Sequence, residues 1–212
     1  MKTEISLENW NRREHFAFFS EFDEPYFGLV ANVDCTKAYL NAKTQNISFF
    51  IYYLYHAVRA VNEVEGLRYR IEDGKVYCYD HIHASATIGR EDTTFAFSFI
   101  PFRDNMQAFA LEANQEIEAI RNTSGIRLNE HTARPDTVHY SSIPWLSFTG
   151  LSHARHFRFP DSVPKISFGK IFMQENRRLM PVSVHVHHAL ADGYHVGQFF
   201  KVYQQRLNNP SH

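Results

Sequence analysis

Three stretches of this chain repeat their apolar residues at helical spacing, and they stand among runs whose side chains alternate as strands do. That mixture restricts the fold to helices packed on a sheet. From Ser48 to Val64 the positions Ile51, Leu54, Tyr55, Val58, Val61 and Val64 share one face, and Gly66 follows as a stop. Asn105 to Arg121 carries Met106, Phe109, Ala110, Ala113, Ile117 and Ile120 in the same way. A third stripe, Val196, Phe199, Phe200, Tyr203 and Leu207, lies near the C-terminus. A shorter helix is expected over Phe16 to Phe22, and Asp34 is placed to cap another beginning near Thr36. Strands are expected over Tyr26 to Val33, Ala84 to Ile88, Phe95 to Ile100, Val138 to Ile143, Lys165 to Met173 and Leu179 to His187. Asp73-Gly74 turns a hairpin between Leu67–Ile71 and Val76–Tyr79. No linker, charge run or repeat divides the chain. We read one domain over 1–212, an α/β two-layer sandwich of helices packed on a mixed, mostly antiparallel β-sheet.

The charge balance, 22 Lys+Arg against 23 Asp+Glu in 212 residues, gives a formal net charge of -1 and no overall field to collect nucleic acid or an acidic lipid surface. Cys35 and Cys78 are too few for a disulfide framework and match no zinc spacing. The N-terminal Met-Lys-Thr-Glu-Ile-Ser-Leu-Glu has no apolar core, and Ile47 to Tyr55 falls well short of the ~20 residues of a membrane span. A cytoplasmic protein with neither nucleic-acid nor membrane partners is therefore expected. The unusual residues are the aromatic ones, 19 Phe and 11 Tyr, together with 13 His. They supply flat apolar surface for a core, a subunit contact or a ligand slot.

The segment from Val182 to Gly193 differs from the rest. Strand alternation puts Val182, Val184, Val186 and His188 on one face and Ser183, His185 and His187 on the other. His188 thus ends an apolar row where the chain leaves the sheet. An imidazole so placed can accept a proton from an alcohol or amine near pH 7. The plainer alternatives are a structural histidine, and an Asp192 that simply caps the helix opening at Gly193. His185 and His187 form an H-x-H pair without further ligands in view, so no metal is expected. Residue spacing alone leaves the function open.

His188-Ala189-Leu190-Ala191-Asp192-Gly193 fits the HxxxDG motif of coenzyme A-dependent acyltransferases, and the longer string HHALADGYHVGQF resembles the chloramphenicol acetyltransferase family. Trp10-Asn11-Arg12-Arg13-Glu14-His15-Phe16 is similar to that family's amino-terminal segment, Pro144-Trp145-Leu146-Ser147-Phe148-Thr149 to its P-W-x-x-F segment, and Leu179-Met180-Pro181 to the approach to its active-site strand. The resemblance spans nearly the whole chain. It implies a homotrimer with active sites between subunits, in which His188 takes the proton of a small hydroxylated acceptor that attacks acetyl-CoA directly. Acetyl-CoA is then a co-substrate, and no cofactor is bound permanently.

The same resemblance assigns Asp192 and Arg12 a salt bridge that fixes the loop of the base. It assigns Phe19, Phe95 and Phe148 to the acceptor pocket, and Ser167 and Lys170 to the coenzyme side. Two departures stand near the expected centre. Gly150 occupies the place of a serine that bonds the oxyanion in the family, where Ser147, Thr149, the Gly150 N–H or a water would have to substitute. Tyr26 stands where the family often carries cysteine. The expected activity is O-acetylation, with chloramphenicol the first candidate acceptor. The alternatives are another acceptor on the same fold, or a ligand-binding trimer without catalysis.

Overall fold

The computed structural model describes residues 1–156 and 161–209. The amphipathic stretches become helices α2 (Thr36–Thr44), α3 (Phe49–Glu63), α4 (Met106–Arg121) and α5 (Gly193–Asn208), preceded by the short α1 (Arg13–Phe19). Their starts follow from local chemistry. The Asn105 side chain accepts the Ala108 N–H, and Asp192 accepts the Tyr194 N–H at 3.0 Å. At α2, Asp34 Oδ1 accepts the Thr36 N–H at 2.9 Å.

The main sheet joins β2 (Tyr26–Asp34), β5 (His83–Gly89), β6 (Phe95–Phe97), β7 (Thr137–Ile143), β8 (Lys165–Gly169) and β10 (Arg177–His187) in the spatial order β2-β10-β8-β7-β5-β6. The β5–β7 and β7–β8 pairs are parallel; β2–β10, β10–β8 and β5–β6 are antiparallel. The sheet is mixed, as the sequence led us to expect. A short β9 (Phe172–Gln174) pairs with the start of β10. A separate three-stranded sheet is built from β1 (Lys2–Glu4), β3 (Tyr69–Glu72) and β4 (Lys75–Tyr79), with Asp73 and Gly74 at φ 50° and 76° in the hairpin turn.

One face of the main sheet carries the core. Val182, Val184, Val186, Ile166, Phe168 and Ala84 pack with the apolar stripes of α3, α4 and α5 in one buried cluster. The expected continuous strand from Lys165 to Met173 is broken instead at Lys170. There the Lys170 N–H turns to the Leu146 carbonyl at 2.8 Å, and Ser147 Oγ donates to the Lys170 carbonyl at 2.8 Å. Gly169 permits this crossing, since a Cβ there would stand 3.0 Å from the Phe148 ring and 3.1 Å from the Leu146 carbonyl oxygen. Among the described residues no helix is long and apolar enough to cross a membrane.

Candidate active site

His188 sits just past the end of β10, where its backbone N–H bonds the Pro25 carbonyl at 2.8 Å. Its ring is held face-on by Phe19, with centroids 3.8 Å apart and planes 12° apart, and Phe27 of β2 closes in at 4.6 Å. Nδ1 is buried with no hydrogen-bond partner among the described residues, and packing against the two aromatic rings holds the imidazole. The segment behind it is clamped. Arg12 Nη1 lies 2.6 Å from Asp192 Oδ2, and Arg12 Nη2 donates to the carbonyl of His188 itself at 3.3 Å.

Asp192 is shared. Its Oδ1 accepts the Tyr194 N–H and lies 2.9 Å from His195 Nδ1, so the residue caps α5 and holds Arg12 at once. Burial works to raise its carboxyl pKa, but the bonds from Arg12 and His195 outweigh it and hold the group well below the usual carboxylate range. The Arg12 side chain is 10% exposed and that of Asp192 29%, so the pair is only partly withdrawn from water. Gly66 leaves room for the His195 ring, which a Cβ would meet at 2.3 Å.

The other residues singled out from sequence do not gather here. β8 runs antiparallel to β10, with His185 opposite Lys165 and Val182 opposite Phe168. Gly169, Phe148 and the exposed Lys170 therefore lie at the far end of the sheet from His188, about 20 Å away at the 3.3–3.4 Å rise of a strand. Phe95, opposite Gly89 at the same far end, is half-exposed on the edge strand β6. Phe19 alone of the three aromatic residues touches His188. Ser167 lies mid-sheet, fully buried, its hydroxyl without a partner among the described residues. Gly150 is exposed, and a Cβ added there would meet nothing within 4 Å.

Tyr26 opens β2 and is tied into the structure. Its hydroxyl donates to the Asp161 and Val163 carbonyls at 3.0 Å, and the Arg155 guanidinium lies 3.6 Å from its ring centroid. His185 Nδ1 is 3.1 Å from Ser183 Oγ, and its ring crosses Gly28, where a Cβ would come within 2.2 Å of it. Among the described residues no three or more His, Cys, Asp or Glu gather as metal ligands. Sequence reading missed Phe27, which helps to hold His188, and the polar cluster of His139, His153, Arg155, Asp161 and Lys165. The signal was present, since His139, Ser141, Lys165 and Ser167 alternate with apolar residues, but only strand register brings them together.

A profile of the chloramphenicol acetyltransferases matches residues 1–204. The chain belongs to the chloramphenicol acetyltransferase family. It is accordingly an acyltransferase. A Clostridium perfringens chloramphenicol acetyltransferase is 30% identical over 209 residues, spanning 97% of this chain and 94% of the relative. Chloramphenicol acetyltransferase 3 of Escherichia coli is 28% identical over 210 residues, spanning 98% and 97%. A solved chloramphenicol acetyltransferase superposes with a TM-score of 0.91 at 32% identity, covering 98% of this chain and 100% of its own. The truncated catalytic core of a 2-oxoacid dehydrogenase multienzyme complex from Thermoplasma acidophilum, 17% identical with a TM-score of 0.67, shares the fold.

Proposed function

We propose that this single-domain protein transfers the acetyl group of acetyl-CoA to a hydroxyl of a small acceptor, with chloramphenicol the first to be tested, and that His188 is the general base. In this reading His188 takes the acceptor proton as the oxygen attacks the thioester carbonyl. The C–S bond then breaks, and the departing CoA thiolate recovers the proton from the imidazolium, so no acyl-enzyme forms. Holding both reactants in contact supplies ~7–11 kcal/mol of the barrier, which places the demand on positioning. Arg12 and Asp192 hold the base segment. Phe19, Phe95 and Phe148 line the acceptor side, and Ser167 and Lys170 border the coenzyme.

The observation that carries the proposal is the immobilised His188 ring. Its carbonyl is gripped by Arg12 and its face is covered by Phe19, and no hydrogen bond among the described residues engages its Nε2. Phe148 and Lys170 lie at the other end of the same sheet, so a second copy of the chain must bring that end to His188; the reading therefore includes a homotrimer with sites between subunits. Gly150 favours a second reading, transfer to a different acceptor, because the fold does not require a glycine there: its surroundings are open. The test follows thiol release from acetyl-CoA with chloramphenicol, for the wild type and His188→Ala. Release that needs both drug and His188 supports the first reading, and release only with other hydroxylated acceptors supports the second. His188-independent release contradicts both.

A further inference from the structure

Two hydrophobic clusters meet at the base segment. Ala191 packs into the main core, whereas Leu190, 2% exposed, turns into a second cluster with Tyr69 and Val76 of the three-stranded sheet. Trp10 and Phe16 pack on that cluster from the N-terminal side. The Trp10 ring stands edge-on to Tyr69, with centroids 5.3 Å apart and planes 80° apart, and the Phe16 ring lies 6.1 Å from Trp10. Tyr69 is itself firmly held. Its hydroxyl donates to Glu65 Oε1, and its carbonyl accepts from Arg70 Nη1 at 2.6 Å. Arg70, fully buried, also donates to the carbonyls of Pro135 and Thr137 at 2.6 Å, which fastens the small sheet to the start of β7.

What rests on this seat is α1. The helix has 7 residues, each at least partly exposed, well below the about 12–15 that an isolated helix needs in water. Yet Arg12 at its start grips the His188 carbonyl and Asp192, and Phe19 at its end covers the His188 ring. Two contacts at opposite ends of so short a helix stay in register only if something outside it offsets the entropy of ordering the segment. Trp10 and Phe16 supply that anchorage. Trp10 stands just before Arg12, and its carbonyl accepts the Arg13 N–H at 3.0 Å, so a shift of the indole moves the helix with it. Phe16 adds a second point of attachment midway along the helix.

We propose that the Trp10–Tyr69 contact positions the base: seated on the three-stranded sheet, it sets where α1 lies and so where Arg12 and Phe19 hold the His188 ring. Both residues act through α1 and are positioning residues. The proposal rests on the reading of His188 as the base and extends it. The experiment compares the wild type with Tyr69→Leu, which removes the ring contact, Tyr69→Phe, which keeps the ring and loses the hydroxyl, and Trp10→Leu. Stacking under Phe19 displaces the His188 ring protons upfield in the NMR spectrum of histidine-labelled protein, and His188→Ala identifies that signal by its loss. Tyr69→Leu and Trp10→Leu are expected to lose most of the displacement, and Tyr69→Phe to keep it. In thiol release from acetyl-CoA with chloramphenicol, well below each variant's Tm, the leucine variants are expected to lower kcat about ten- to a hundredfold with KM within about twofold. Tyr69→Phe is expected to stay near the wild type. Trp10→Leu, at a partly exposed residue, keeps the test decisive if Tyr69→Leu does not fold. A His188 signal unmoved in a folded leucine variant, or an unchanged kcat there, overturns the proposal and leaves the base reading intact. A His188→Ala protein that keeps the rate of an active wild type overturns the base reading and the proposal with it. If chloramphenicol releases no thiol from the wild type, the ring signal alone decides: displacement lost supports the positioning, and displacement kept overturns it.

Discussion

The two faces of the main sheet are made by the same strands and do opposite things. On the helix side Val182, Val184, Val186, Ile166 and Phe168 disappear into the core, where burying each such side chain contributes about 1.5–3 kcal/mol. On the other side the intervening residues are Ser183, His185, Ser167 and Lys165, which contribute little by burial; among the described residues the buried Ser167 hydroxyl has no partner, while Ser183 Oγ lies 3.1 Å from His185 Nδ1 and Lys165 pairs with Asp161. Alternation lets one strand present an apolar face and a polar face at once. Stability is concentrated on one face, and the other is left free to be chemically particular.

The comparison is broken most sharply by exchanging chemistry between faces. Val184→Ser leaves a cavity and an unpaired hydroxyl on the helix side and is expected to cost about 2–4 kcal/mol. Ser167→Ala, one pairing away on the opposite face, removes a hydroxyl that has no partner and should shift stability by less than about 0.5 kcal/mol. Denaturant midpoints measure both, and equal losses would erase the distinction. Asp192→Ala removes the Arg12 partner and the α5 cap together. Because the pair is partly exposed, the loss is expected near 2–3 kcal/mol, below the ~3–5 of a fully buried pair. At ~2–4 °C per kcal/mol this lowers Tm by about 4–12 °C, along with the rate; an unaltered Tm would remove the clamp from the account.

The polar face also predicts a pH dependence. His139, His153 and His187, with folded values of about 4 against the ordinary 6.5, stay neutral while the unfolded chain takes up protons. Their stability contribution is complete above pH 6.5 and is lost as pH falls toward 4. Calorimetry at pH 7.5, 6 and 5 should give a steadily falling Tm, and a flat profile would mean that these rings are not held neutral. The smallest structural effect is expected for Gly150→Ser. The added side chain meets open space, so Tm should not move, and a large gain in rate would identify a missing donor at that place.

Much of the architecture could be read from the chain, because it depends on local rules. The three apolar stripes, the Asp73-Gly74 turn and the alternation from Val182 to His187 each report a period or a backbone preference. What could not be read depends on partners distant in sequence. Lys2–Glu4 is a polar triplet that becomes a strand only because β4 lies beside it. Arg70, which alternation marks as polar surface, is fully buried and donates to the carbonyls of Pro135, Thr137, Leu67 and Tyr69. The candidate site divides in the same way. His188, Asp192 and Arg12 lie in recognisable motifs. The contact of Trp10 with Tyr69 joins segments that the sequence keeps far apart.

The proposed mechanism has His188 of one chain work on substrates held against the far end of another. It is tested most directly by co-expressing His188→Ala with a Phe148→Ala/Lys170→Glu variant, each inactive alone, and measuring thiol release from the purified mixed assembly. Recovered activity is predicted, because some interfaces then pair an intact His188 with an intact opposite end. Mixed assemblies as silent as their parents would contradict the account.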